Sequence, residues 1–203
     1  MDSAKAVKTY SNLYKSALEQ NGVPEIDAKI AAFERRLSEM YASEDFRRFN
    51  IYPTINVYQV FAVIAMCLEM LEHGFSEGEI IAFINDVFRR KKQLFGRLEK
   101  VIDALPCCYS VAKKLNISDH ESRVKDGSIT YDFFNVEDGK IEYSISKCKY
   151  VEIFEHYGIR RLCKVFCESD TQAYANLTKH VKFIRHSDLS DGGACHDEII
   201  RIK

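Results

Sequence analysis

The chain has 203 residues, of which 46% are hydrophobic and 29% charged, and this composition is that of an ordinary globular protein and not of a disordered one. Its 29 basic and 30 acidic side chains leave a net charge of -1, so no bulk electrostatic attraction draws the chain to nucleic acid or to an anionic membrane. This length suits one well-buried core, and we expect a single domain, 1–203, with a helical lobe at 1–115 and an α/β lobe at 128–203.

The N-terminus, the apolar runs and the cysteines indicate the cellular compartment in which we expect the protein. Residues 1–5 lack the basic start and apolar stretch of a secretory signal. The longest apolar run, 60–68, is far shorter than the roughly 20 residues that cross a bilayer. The seven cysteines are an odd number in a chain large enough to fold without cross-links, so we expect free thiols. Together these features predict a cytoplasmic protein.

Apolar residues recur at helical spacing through the first half of the chain. The spacing is found at 4–18, 26–40, 54–73 and 76–88. We expect Thr54 to cap the third of these helices, and Ser76 with Glu79 has the spacing of a capping box. A further helix is expected at 94–105, whereas the polar stretch 116–128 predicts a loop.

The second half of the chain begins with alternation of period two, which predicts strands. Two alternating runs, 129–133 and 141–145, flank Asp138-Gly139, a strong hairpin signal. Helical spacing returns at 150–157 and 162–173, and two more strands are expected at 181–186 and 196–202. The predicted fold is α+β: a helical lobe packed with a four-stranded antiparallel sheet, in the order strand, strand, helix, helix, strand, strand.

The helical segments of the second half place cysteines and acidic residues on common faces. Cys163, Cys167 and Asp170 have the spacing that lines one side of a helix, and Cys148 with Glu152 lines the preceding helix. Cys148 stands near the N-terminus of its helix, a position that lowers a thiol pKa and favours a reactive thiolate. The alternative for each cysteine is packing, because free cysteine is among the most buried residue types.

The last strand and the turn before it add further candidates. His196 shares a face of the strand with Ile200 and Ile202, which predicts an inward imidazole able to act as a general base. Gly192-Gly193 favours a turn and would also allow a ligand to approach the backbone. Neither a Cys-x2-Cys pair nor a His-x3-His spacing occurs, so we expect no metal and no cofactor.

Three motifs of the final third resemble a known family. They are Cys148-x3-Glu152, Leu162-Cys163-x3-Cys167-x2-Asp170 and Gly192-Gly193-Ala194-Cys195-His196-Asp197. From about Tyr143 to the C-terminus the chain is similar to the L-2-amino-thiazoline-4-carboxylic acid hydrolases. The family pattern has cysteine directly before the last aspartate, where this chain has His196 and carries Cys195 one position earlier. On a strand, that displacement moves the thiol to the opposite face.

The resemblance implies hydrolytic opening of a cyclic amidine-like ring to a carbamoyl-cysteine product. Such a reaction needs a nucleophile or activated water, a proton donor and a cation for the substrate carboxylate. It implies Cys148 or Cys167 as nucleophile, His196 as acid and base, and Asp170 or Asp197 as its orienting partner. Residues that would hold the substrate are Glu152, Arg160, Arg161, Arg185, Gly192 and Gly193.

A second function remains open from the sequence. A helical lobe with a small antiparallel sheet and an apolar pocket also resembles the small-molecule-binding domains of the vinyl-reductase type, so the chain could bind or sense a ligand without catalysis. Under either function the expected partner is a small molecule, with no nucleic acid and no membrane. Exposed faces of the N-terminal helices leave pairing with a second copy of the chain open.

Overall fold

The computed structural model describes residues 2–93 and 101–202, apart from the side chains of 90–93. The chain divides into two compact units, 1–87 and 88–203. Most of the helix predicted at 94–105 lies outside the described residues. All seven cysteines carry free thiols.

The first unit is helical, as its apolar spacing predicts. Its helices are α1 (Ser3–Gln20), α2 (Ile26–Ala42), α3 (Glu44–Phe49), α4 (Val57–Glu72) and the larger part of α5 (Glu77–Gln93). Helix α4 is buried on nearly every side and forms the centre of this unit. In the described part of the chain, neither α4 nor any other helix combines the length and hydropathy needed to cross a membrane.

The helix ends in this unit follow the expected capping chemistry with one exception. The Ser76 backbone N–H donates to the Glu79 carboxylate at 2.8 Å, and the Glu79 N–H donates back to the Ser76 hydroxyl at 3.4 Å, so the capping box is confirmed. The prediction of Thr54 as a cap is wrong. Asn56 caps α4 instead, because its side-chain oxygen accepts a hydrogen bond from the Gln59 N–H at 3.2 Å.

The second unit contains the antiparallel sheet. Its strands are β1 (Ile129–Val136), β2 (Lys140–Cys148), β3 (Val181–Ser187) and β4 (Cys195–Arg201), in the spatial order β1-β2-β4-β3. Helix α6 (Cys108–Asp126) precedes β1, and α7 (Lys149–His156), a 3-10 turn (Arg160–Cys163) and α8 (Lys164–Tyr174) connect β2 to β3. The α+β class and the four-stranded antiparallel sheet are confirmed.

Helix α6 corrects the loop that the sequence predicts at 116–128. The helix continues to Asp126, and Gly127 ends it with a φ of 73°. The apolar period fades because Asn116, Asp119 and Arg123, which share one face of α6, line a cavity and not an apolar core. Apolar periodicity does not reveal a helix whose inner face is polar, so the sequence of such a helix resembles that of a loop.

Candidate functional site

A cavity of about 360 Å³ lies in the second unit, on the face of the sheet toward α6, α7 and α8. All four strands and the three helices contribute side chains to its wall. Its volume is within the range of small-molecule sites, roughly 300–1,000 Å³. Its polar members come from residues far apart in sequence, so the fold and not a local motif creates this site.

Four thiols line this cavity. They belong to Cys148, Cys163, Cys167 and Cys195. Burial raises the pKa of all four, and that of Cys167 rises to about 12. These cysteines are therefore protonated at neutral pH, and none of them is a ready thiolate.

The pKa of the Cys148 thiol differs from what its position at the start of a helix predicts. It is the residue that precedes the first turn of α7, as predicted. The backbone N–H groups of Val151 and Tyr150 and the positive charge of Arg123 act to lower its pKa, but burial outweighs them and the net shift is upward. The predicted lowering of the Cys148 pKa is therefore wrong.

A buried ion pair crosses the cavity wall between β3 and β4. Arg185 donates from Nε to Asp197 Oδ1 at 2.8 Å and from Nη2 to Asp197 Oδ2 at 2.6 Å, which makes the pair bidentate. The Asp197 side chain is fully buried and that of Arg185 is 14% exposed. Arg185 also donates to the Cys167 carbonyl, and its Nη2 lies 3.2 Å from Asp170 Oδ2. Most of its donors are therefore engaged within the protein.

Asp170 is the carboxylate that this arrangement leaves open to the cavity. Its Oδ2 lies 3.2 Å from Arg185 Nη2, and its side chain keeps 59% of its surface accessible. Asp170 is one of the residues that line the cavity. Burial raises the pKa of Asp170, and the nearby Arg185 opposes the rise. A carboxylate with a raised pKa and access to ligand is suited to accept a proton.

A second charged pair lies on α6, and no motif of the sequence indicates it. Arg123 Nε donates to Asp119 Oδ2 at 2.6 Å, and the Arg123 side chain is 20% exposed. Burial acts to lower the pKa of Arg123, but the Asp119 carboxylate more than offsets it. The ion pair uses Nε, and the guanidinium also interacts with the Tyr150 hydroxyl. Because Arg123 lines the cavity, a terminal amino group can still meet a ligand carboxylate.

Other residues expected at the site lie elsewhere. Glu152 and Arg160 line a neighbouring cavity of about 290 Å³, where Cys148 is part of the wall shared with the first. Arg160 donates to Glu155 at 3.1 Å and to the Leu189 carbonyl at 2.9 Å. Among the described residues that line the first cavity, Glu152 and Arg160 are absent.

The arginine and glycines expected at the substrate are also outside the lining of the first cavity. Arg161 is exposed on the 3-10 turn. Gly192, with a φ of 97°, and Gly193 form the turn before β4. In the described part of the chain, the wall of the first cavity includes none of these three. Of the residues expected to hold the substrate, the structure brings Arg185 to the cavity.

His196 lies on the opposite face of the sheet from the cavity. Along β4, Cys195, Asp197 and Ile199 are buried on the cavity side, whereas His196 is 35% exposed and its Nε2 lies 2.9 Å from Glu142 Oε1. The predicted inward imidazole is wrong. Ile200, which shares the face of His196, is not the buried isoleucine of β4; that residue is Ile199, on the other face.

The residues expected to carry the catalysis are thus brought together with one exception. Cys148, Cys167, Asp170 and Asp197 line one cavity, and His196 does not. Strand alternation also separates Cys195 from His196, so the thiol and Asp197 share the inner face, with Sγ 3.5 Å from Oδ2.

Comparison with known proteins extends the resemblance beyond these motifs. Residues 56–197 match the family model described as L-2-amino-thiazoline-4-carboxylic acid hydrolase, a span that begins just before α4 and ends in β4. No curated protein and no solved structure gives a significant match. Because the matched span covers more than half of the chain and contains every residue of the cavity wall, the chain belongs to the L-2-amino-thiazoline-4-carboxylic acid hydrolase family.

Proposed function

We propose that this protein hydrolyses 2-amino-thiazoline-4-carboxylate, or a close cyclic amidine, to the ring-opened carbamoyl-cysteine. Family membership supports the substrate class. The observation that carries the proposal is the accessible Asp170 carboxylate in a cavity that also presents Arg123. The two charges lie on different helices, α8 and α6, so they can bind opposite ends of one small molecule.

The charges of the cavity suit a zwitterion. The wall contains the carboxyl groups of three aspartates and the guanidinium groups of two arginines, so acidic groups outnumber basic ones. A protonated amidine is attracted to the accessible Asp170, and the substrate carboxylate to the terminal amino groups of Arg123. Arg185, already bidentate with Asp197, positions Asp170 and leaves substrate binding to Arg123.

The chemistry uses Asp170 as a general base. Asp170 takes a proton from water as the water oxygen bonds to the ring carbon between sulfur and the nitrogens. The tetrahedral adduct then forms its carbonyl as the bond from this carbon to the ring nitrogen breaks. The hydroxyl proton of the adduct passes to the leaving nitrogen, relayed by the protonated thiol of Cys148 or Cys167. Asp170 releases its proton to solvent, and one water has been added to the substrate.

Steady-state hydrolysis of 2-amino-thiazoline-4-carboxylate by purified variants tests these roles. We expect Asp170→Asn to lower kcat by about 10²- to 10⁴-fold, the usual contribution of a general base. Arg123→Gln should raise KM more than it lowers kcat. Asp138→Asn, in the exposed hairpin turn, is the matched control and should match the wild type. Unchanged turnover in Asp170→Asn, Cys148→Ser and Cys167→Ser would sink the assignment.

One observation favours ligand binding without catalysis as a second candidate. All four cavity thiols have raised pKa values, and inert thiols suit passive binding as well as proton relay. Calorimetric titration with the same compound separates the two functions. Saturable binding to wild-type protein with no product formed would favour the binding domain, whereas product formation favours the hydrolase.

A further inference from the structure

The face of the sheet opposite the cavity carries a cluster of metal-ligand side chains. One ligand atom from each of His186, His196 and Glu198 lies within 4.8 Å of the others. The His186 Nε2 and Glu198 Oε1 atoms are 3.5 Å apart, and the two imidazole centroids are separated by 4.7 Å. We call these three residues the outer-face cluster.

The backbone explains how the cluster forms from two strands. His196 and Glu198 are two residues apart on β4, so they point to the same face. On β3 the pairing with β4 shifts between Arg185 and Ser187, which makes His186 the extra residue of a bulge. A bulge re-aims the side chain it carries, and here it brings the His186 imidazole beside His196.

The donor set has the chemistry of a transition-metal site. Two imidazoles and one carboxylate are a ligand combination of catalytic zinc sites, which leave the fourth position to water. Zinc bonds of about 2.0–2.2 Å would bring neighbouring ligand atoms to about 3.3 Å in a tetrahedral site. The three side chains are 45%, 35% and 16% exposed, so their rotamers can adjust by the ångström or so required. We propose that the outer-face cluster binds one divalent transition-metal ion, with zinc as the representative.

The surroundings of the cluster already accommodate a cation. Lys140 Nζ lies 2.9 Å from Glu142 Oε2 and 3.0 Å from Glu198 Oε1, so one ammonium group bridges the two carboxylates and leaves a net negative charge. Glu142 Oε1 lies 2.9 Å from His196 Nε2, so a metal ion would take the other ring nitrogen, Nδ1, and Glu142 would orient the imidazole as carboxylates do at metal-bound histidines. Lys140 competes with a metal ion for Glu198, and its removal should therefore strengthen metal binding.

Cobalt(II) titration of the full chain, followed by absorbance and native mass spectrometry, tests the site. Cobalt reports its own ligands, because thiolate ligation gives intense charge-transfer bands that imidazole and carboxylate ligation do not. We expect one cobalt ion per chain, a spectrum without thiolate bands, and displacement by zinc. No saturable binding, or a spectrum dominated by thiolate bands, overturns the proposal.

Variants assign the ligands. His186→Ala and His196→Ala should each weaken cobalt binding at least about tenfold, since each removes a direct ligand. His73→Ala, at an exposed histidine of the first unit, should bind as the wild type does. Lys140→Met should bind more tightly, a gain that loss of folding cannot imitate. Equal affinity in wild-type protein and in the His186→Ala/His196→Ala double variant contradicts the site.

Discussion

Neighbouring residues of strand β4 lie on opposite faces of the sheet, and the two faces have different chemistry. On the inner face, Cys195, Asp197 and Ile199 are 4%, 0% and 0% exposed and border the cavity or the core. On the outer face, His196 and Glu198 are partly exposed and pair with ionisable groups in water. Successive side chains of a strand point to opposite faces of the sheet. Moving the cysteine by one position relative to Asp197 therefore moves it from one face to the other, between the cavity and the surface.

Ion pairs on the two faces differ in the same way. Arg185 donates two hydrogen bonds to Asp197 beneath the surface, where each charge depends on the other. Lys140 bridges Glu142 and Glu198 where water and salt screen the charges. We therefore expect the ion pair on the inner face to be essential for stability and the one on the outer face to contribute little.

The largest effect is expected from Arg185→Met. The substitution leaves the fully buried Asp197 carboxylate without its partner, and an uncompensated buried charge costs about 3–5 kcal/mol of the free energy of unfolding. Urea denaturation followed by circular dichroism measures this difference. If Arg185→Met lowers the free energy of unfolding by less than about 1 kcal/mol, the Arg185–Asp197 pair contributes no more than a surface ion pair, and the two faces do not differ.

The acid limb of the pH profile tests the role of Asp170. A general base must be ionised, and burial raises the Asp170 pKa above 3.8, so kcat/KM should fall with decreasing pH at a higher pH than for an ordinary aspartate. As the pH is lowered, kcat/KM falls at a higher pH because a carboxyl group with a raised pKa binds its proton at a higher pH. In Asp170→Asn this limb should disappear. An acid limb that persists in this variant would assign the base to another group.

Thiol labelling at neutral pH distinguishes cavity cysteines from an exposed one. Cys107 is exposed, whereas burial raises the pKa of Cys167 to about 12, so the cavity thiol should react with iodoacetamide at least about 100-fold more slowly. Peptide mass spectrometry follows each site over time. The rates should converge as the pH rises. Labelling of Cys148 or Cys167 before Cys107 would instead identify a nucleophilic thiol and restore the nucleophile implied by the family motifs.

The smallest effect is expected from Lys140→Gln on the outer face. Its contacts to Glu142 and Glu198 are open to solvent, so the urea midpoint should remain close to that of the wild type at physiological salt. The same denaturation assay as for Arg185→Met gives a direct comparison of the two faces. A large destabilisation by Lys140→Gln would show that the outer pair is as important as the inner one.

Sequence patterns predicted the regular parts of the fold well. The Asp138-Gly139 turn, the alternation of the flanking runs and the stop at Gly158 correctly indicated the hairpin and the following helix. These signals are local, because turn geometry and strand alternation depend on neighbouring residues. The motif spacing also indicated Cys167 and Asp170, which both line the cavity.

The parts that sequence patterns missed depend on contacts between distant segments. Arg123 and Asp119 lie on a helix whose polar inner face resembles a loop, and no motif links them to Asp170. The outer-face cluster brings His186 to His196 through a bulge that only the strand pairing shows. A search for closely spaced histidines does not find ligands on adjacent strands.

The roles of Asp170 and Arg123 are tested most directly by a crystal structure of Asp170→Asn grown with 2-amino-thiazoline-4-carboxylate. The variant retains the cavity and slows the reaction, so the intact ring can be observed. We expect the ring in the inner cavity, with its carboxylate at the terminal amino groups of Arg123 and its amidine beside residue 170. A compound bound elsewhere, or bound in the cavity with its carboxylate turned toward residue 170, would contradict the assignment of this face as the catalytic one.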